Sequence, residues 1–156
     1  MYDLDGEVAY VGQSSQLRSR LRQHFIRQDS SVVSYGRLDI WDIAYVDWWE
    51  TEKTDAAENE LLMYHQPYLN FDGESSAPLD NPPVDVEQPT ESIQLLTEEE
   101  LKLRTRPYNR AKQKLEHLVR MIDKIHLAGH SKDTKRTLYE HNRIFQEAVS
   151  EFLGVE

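Results

Sequence analysis

The sequence predicts an α+β fold: a small three-stranded antiparallel sheet flanked by helices over residues 1–72, an acidic linker over 73–96 and an α-helical hairpin over 97–156. Three observations predict it. Strand-type runs separated by Asp5-Gly6 open the chain, and apolar residues at helical spacing follow. Between Asp72 and Ser92, four of the six prolines gather with serines and acids and almost no large apolar side chains, which marks a linker. Beyond residue 96 the apolar positions recur only at helical spacing. At 156 residues and 38% apolar content, the chain can bury one core and a small annex.

Asp5-Gly6 between MYDL and EVAYVG is a two-residue hairpin signal, because glycine tolerates the positive φ of such turns. This pairs Leu4 with Glu7 and Met1 with Tyr10. Ser15 is the expected cap of the first helix, with Leu17, Leu21 and Phe25 as its buried stripe and Arg20 and His24 on the neighbouring one. DIWDIAYVDWW, Asp39 to Trp49, is rich in β-branched and aromatic residues and predicts the third strand. Thr54 caps a second helix with Ala57, Leu61 and Tyr64 inward, and Pro67 stops it. In the C-terminal part, Thr97 and Glu100 form a capping box and the helix pauses near Pro107. Ala111, Leu115, Leu118, Ile122 and Ile125 make one stripe; Gly129 breaks the helix and Ser131 offers a new cap. Leu138, Phe145, Val149 and Phe152 make the second stripe, and the pair is expected to pack on itself, on the first domain or on a second chain as a homodimer.

The formal charge of −10 argues against a polyanion partner until its distribution is considered. No carboxylate lies between Glu7 and Asp29, a segment with four arginines, and Lys102 to Lys114 holds six positive side chains and no acid. Both runs are candidate nucleic-acid surfaces, through Arg18, Arg20 and Arg22 and through Lys102, Arg104, Arg106, Arg110, Lys112 and Lys114. Tyr108 could stack on a base. The plain alternative for both is a solvated helix face. With no cysteine, disulfides and cysteine-based zinc sites are excluded. No apolar run approaches membrane-spanning length and the start lacks a signal-peptide pattern, so we expect a soluble cytoplasmic protein without a membrane partner.

Tyr10-Val11-Gly12, then Leu17, Arg20-Leu21 and His24, then Glu58 followed by Leu61-Leu62, Pro67 and Asn70, resembles the GIY-YIG endonuclease superfamily. It is similar especially to the version in the excinuclease that incises DNA in bacterial excision repair. The resemblance covers residues 1 to about 71 and implies a hydrolase acting on phosphodiester bonds in DNA, with RNA not excluded. It implies that Glu58 is the sole carboxylate ligand of a Mg²⁺ or Mn²⁺ ion, whose other positions are water and phosphate oxygen. Arg20 would bind the scissile phosphate, Tyr10 would position or deprotonate the water, and His24 would relay a proton. Gly12 would free the approach to the strand end, and Asn70 would fix the helix end or a water on the ion. Each residue also has a structural reading: Tyr10 as a core residue, Arg20 and His24 as a helix face, Glu58 as a first-turn acid and Asn70 as a turn former. The family's first motif, Gly-Ile-Tyr or Gly-Val-Tyr, would put its tyrosine two positions before Met1. Tyr2 lies an odd three positions further along, which points it to the opposite face. Two rivals to an active nuclease follow: an inactive nucleic-acid-binding module of the same fold, and an oligomerising adaptor built on the C-terminal helices.

Overall fold

The computed structural model describes residues 1–34, 36–71, 81–128 and 131–155. It is an α+β structure whose sheet has three antiparallel strands in the order β1 (Tyr2–Asp3), β2 (Ile43–Trp48), β3 (Glu91–Gln94). The central strand is the aromatic and β-branched run seen in the sequence. It begins after a 3₁₀ turn, Ile40–Asp42, capped by Asp39, whose Oδ1 accepts from the Trp41 N–H at 3.3 Å.

The sheet differs from the expected one in two ways. Glu7–Val11 is not a full strand of the sheet: Tyr2 bridges Val8, and Asp3 N–H donates to Glu7 O at 2.9 Å. Ala9 N–H likewise donates to Met1 O at 3.0 Å. The loop is therefore Leu4-Asp5-Gly6, three residues rather than two, with Gly6 at φ +83°. The Asp3 carboxylate sets this register, since its Oδ1 accepts from both Asp5 N–H and Glu7 N–H at 3.0 and 2.9 Å. Such side-chain bonding to a turn's own backbone is what favours aspartate there. The third strand instead comes from the expected linker. Glu91–Gln94 pairs with β2 as Trp48↔Glu91 through Tyr45↔Gln94, and as a short, mostly exposed edge it carries no apolar alternation to announce itself. Of the expected linker, residues 73–80 lie outside the described residues, as does the Gly129 helix break.

The helices are α1 (Leu17–Arg22), continued by one π-helical turn (Gln23–Arg27), α2 (Ser31–Ser34), α3 (Thr54–His65), α4 (Glu98–Arg104), α5 (Pro107–Ala128) and α6 (Lys132–Leu153). Ser15 does not cap α1 and Thr54 does not cap α3; the cap positions are Gln16 and Lys53, neither with a side-chain bond. Ala57 and Leu61 are buried on α3, whereas Tyr64 is exposed, its hydroxyl donating to Glu87 Oε1 at 2.9 Å. The Thr97–Glu100 capping box and the Ser131 cap both form, and α5 opens on Pro107, where a missing N–H costs nothing.

One apolar core, Ala9, Val33, Leu38, Ile43, Val46 and Leu69, takes Met1, Tyr10, Leu21, Phe25, Val32, Ile40 and Tyr68 at its margins. Against the first layer lie α5 and α6, joined to it by polar contacts rather than by the expected stripe alone. Arg110 pairs with Asp5 and Asp42, and Lys114 pairs with Asp42, all on the buried face of α5. His117 Nε2 and His141 Nε2 meet consecutive carbonyls, Gly36 O at 3.1 Å and Arg37 O at 2.8 Å. On α5 the buried apolar positions are Ala111, Leu118 and Met121; Leu115 and Ile122, expected inward, are half exposed. On α6, Ile144 and Ala148 are buried, Leu138, Phe145 and Val149 only partly so, and Phe152 is exposed.

Candidate active site

The segment Val8–Val11 is held on both flanks, and this holds Tyr10 in place. Met1 bonds one side of it. On the other, Leu69 N–H donates to Ala9 O at 3.0 Å and Tyr68 N–H to Val8 O at 3.3 Å. Asn70 completes the attachment with two side-chain bonds to Val11: its Oδ1 accepts from Val11 N–H at 2.9 Å and its Nδ2 donates to Val11 O at 2.8 Å. Asn70 therefore joins the chain after α3 to the strand that carries Tyr10, rather than closing the helix end.

Past Val11 the backbone passes close against the Tyr10 ring. A Cβ on Gly12 would stand 2.8 Å from both Cε1 and the hydroxyl oxygen of Tyr10, closer than any such contact tolerates. Gly12 is thus required by the folded-back ring and not by its own φ. The next residue, Gln13, reaches α3: its backbone N–H donates to Glu58 Oε1 at 3.1 Å and its Nε2 to Glu58 Oε2 at 3.0 Å. The same Nε2 lies 2.7 Å from Asp55 Oδ1.

These segments enclose a cleft of about 380 Å³ lined by Tyr10, Gly12, Gln13, Arg20, His24 and Glu58 on its polar side. Val46, Trp48, Trp49, Leu17, Leu21 and Leu61 form an apolar wall, and Asp47 and Glu50 also line the cleft. The four residues expected to be catalytic thus reach one cavity from three parts of the chain. Arg20 is half-buried, and among the described residues its guanidinium makes one weak polar contact, Nη1 to Gln23 Oε1 at 3.5 Å. His24 is 2% exposed, not on an open helix face: the π-helical turn, wider than an α-turn, swings it inward, where its Nδ1 meets Ser30 Oγ at 2.8 Å. Burial, assisted by the Arg20 charge, lowers the His24 pKa to about 4, so the ring is neutral at pH 7. Its ring centroid is 6.2 Å from that of Tyr10, edge to face. Burial also raises the Tyr10 pKa; Arg20 pulls the other way and Glu58 adds to the rise. The phenol keeps its proton in the protein by itself. Tyr2 does not line the cleft: its ring lies against His65 at 6.1 Å.

Among the described residues no group of three or more His, Cys, Asp or Glu could hold a metal ion. Glu58 lies on the cleft wall, and Asp55, one turn before it on α3, is tied to it through the Gln13 amide, so these two carboxylates sit together. That donor set fits Mg²⁺ or Mn²⁺, which keep several waters and take phosphate oxygens from the substrate, and it does not fit a site that needs a full protein cage.

The basic run on α4 and α5 is split by the fold. Arg110 and Lys114, expected in the nucleic-acid surface, are 2% and 0% exposed and committed to Asp5 and Asp42, so they are unavailable to a polyanion. Helical geometry explains this: positions 110, 114, 117 and 121 share the face that meets the first layer. Lys102, Arg106 and Lys112 stay exposed. Arg104 lies 5.6 Å from the Trp41 ring centroid, with Nη1 donating to Trp41 O at 3.1 Å. Tyr108 is exposed, against Phe152 at 5.7 Å between ring centroids. Arg18 and Arg22 are exposed on α1. Gln13, Ser30 and Asp55 were not singled out from sequence. Only Asp55 carried a signal, its place three residues before Glu58 on the same helical face.

No family model and no solved structure matches the chain. No helix among the described residues is long and apolar enough to cross a membrane. The chain is similar to UvrABC system protein C of Acidobacterium capsulatum, at 32% identity over 68 residues, which is 42% of this chain and 10% of that protein. It therefore spans only a small part of the relative that it matches.

Proposed function

We propose that the chain is a metal-dependent endonuclease of the GIY-YIG type that hydrolyses phosphodiester bonds in DNA, with Mg²⁺ or Mn²⁺ at Glu58 and a role in cytoplasmic DNA repair. The observation that carries this reading is the convergence of Tyr10, Arg20, His24 and Glu58 on one cleft. The resemblance to the excision-repair nuclease domain and the similarity to UvrABC system protein C point the same way.

In this reading the lightly engaged guanidinium of Arg20 takes the non-bridging oxygens of the scissile phosphate, for which its planar fork is suited. The protonated Tyr10 hydroxyl orients the attacking water and can yield its proton only when added positive charge beside it favours the phenolate. His24, its ring fixed by Ser30, stays neutral behind Tyr10, because a pKa near 4 makes it too weak a base to hold the phenol's proton, which passes to solvent. When bound, the ion supplies charge to the phosphoryl and leaving oxygens. The apolar wall of Trp48, Trp49 and Leu61 limits water around these charges, which strengthens them. Arg18 and Arg22 on α1, with Lys102, Arg106 and Lys112 on the hairpin, hold the DNA backbone.

Two observations favour a second reading, an inactive DNA-binding module: both Glu58 oxygens are already engaged by Gln13, and Tyr2 does not enter the cleft. Incubation with Mg²⁺ and branched, damaged, single-stranded and duplex DNA separates the two. Cutting of any of these above the rate of a Glu58→Ala control is the expected result. Salt-sensitive, metal-independent binding with no cutting would establish the module instead.

A further inference from the structure

Gln13 stands between the two acids that open α3. Its amide nitrogen has two N–H donors and uses both, one on Glu58 Oε2 at 3.0 Å and one on Asp55 Oδ1 at 2.7 Å. Asp55 and Glu58 are three residues apart on a helix, where like charges face each other and repel. The amide therefore sits where a positive charge would be most stabilised, and it offers only a dipole. The backbone N–H of Gln13 holds Glu58 Oε1 separately, at 3.1 Å, and this bond does not depend on the side chain.

We infer that the Gln13 side chain is a neutral placeholder at this site: it bridges Glu58 and Asp55 in the resting protein, and a divalent ion must displace it to reach Glu58. The inference rests on the reading of Glu58 as the metal carboxylate. Two consequences follow from the geometry. Removing the amide frees a Glu58 oxygen and leaves the Asp55–Glu58 repulsion unrelieved until a cation arrives, and both changes tighten metal binding. Glu58 itself stays oriented through the backbone bond, so its position is not lost with the side chain.

The test is Mn²⁺ binding to the full chain without DNA, followed by electron paramagnetic resonance or titration calorimetry. It compares wild type with Gln13→Ala, Gln13→Met and Glu58→Ala, each shown to be folded by circular dichroism. Gln13→Met keeps the bulk of the side chain and removes its donors. Both Gln13 variants are expected to bind Mn²⁺ about tenfold tighter than wild type, the size of one charge-assisted hydrogen bond lost from the competition. Glu58→Ala is expected to bind at least about tenfold more weakly, since the ion loses its direct ligand. The tightening should shrink in an Asp55→Asn background, where one of the two repelling charges is gone. Gln13 variants that bind as wild type or more weakly, or a tightening unchanged by Asp55→Asn, overturn the placeholder while leaving Glu58 as a ligand. Binding undiminished in Glu58→Ala, or no binding by any form, overturns the metal reading and the inference with it.

Discussion

Gly12 and Asn70 are the residues on which the position of Tyr10 depends most directly. In Gly12→Ala the new Cβ would stand 2.8 Å from the Tyr10 ring, so the ring must leave its place. We expect a loss of about 1–3 kcal/mol in stability, typical of overpacking, with cleavage reduced far more than folding accounts for. Urea denaturation beside a cleavage assay separates the two. Asn70→Ala removes both bonds to Val11 and should cost about 1–3 kcal/mol, because Val11 N–H and O are left without partners. A melting curve unchanged from wild type would show that the tie is dispensable. At this scale the sequence, through its resemblance to the GIY-YIG pattern, picked out Tyr10, Arg20 and Glu58 as neighbours, and these three do line one cleft. It was silent on Gln13 and Ser30, whose roles arise from partners brought close only by folding, in Gln13's case from 45 residues away. For His24 the residue was legible but its burial was not, since four-residue spacing assumes an α-helix and the π-helical turn rotates the ring inward.

At the level of elements, α5 is fastened by a buried ionic group rather than by an apolar stripe. Asp42 is fully buried between Lys114 and Arg110, and despite burial its carboxyl is held below the usual range by those two cations. Removing one member of such a group leaves an uncompensated charge inside the protein. Asp42→Ala should therefore cost about 3–5 kcal/mol, read by chemical denaturation. A paired replacement of Asp42 and Lys114 by apolar residues should cost less.

Buried titratable groups in several parts of the protein set a pH dependence. His24 has its pKa lowered to about 4 and His141 lies well below its ordinary value of 6.5, in each case chiefly through burial. Such groups bind protons more readily in the unfolded chain, so stability falls as pH drops from about 6.5 toward 4. Asp3, raised to about 6 mainly by burial, acts in the opposite sense between roughly 4 and 6. With the histidines outnumbering it, the urea midpoint should be lower at pH 5 than at pH 7, and His141→Gln should flatten the slope. The heptad-like stripe Ala111–Leu118 showed that α5 and α6 are paired helices, yet it could not show which face meets the sheet. Polar residues decide that, and hydrophobic periodicity does not register them. The strand Glu91–Gln94 was hidden for a related reason: a polar edge strand is defined by backbone pairing alone.

Taken as a whole molecule, an acidic chain exposes the free cations of its two acid-free runs in two places, α1 beside the cleft and the outer side of α4 and α5. If the second place holds DNA, replacing Lys102, Arg106 and Lys112 together by alanine should weaken binding about equally for all sequences. It should also reduce the slope of log affinity against log salt by up to about 3. Replacing Lys114 should alter folding instead. The central claim, that the cleft of Tyr10, Arg20 and Glu58 is a hydrolytic centre, is tested most directly by single-turnover cleavage of bound DNA across a Mg²⁺ titration, for wild type and Glu58→Ala, with DNA affinity measured on the same preparations. The account predicts Mg²⁺-dependent cutting by wild type and a loss of at least about 100-fold in Glu58→Ala, or some 3 kcal/mol of transition-state stabilisation, at an affinity for DNA changed by less than about threefold. Equal cleavage by the two proteins, or bound DNA left intact by wild type at every Mg²⁺ concentration, would contradict it.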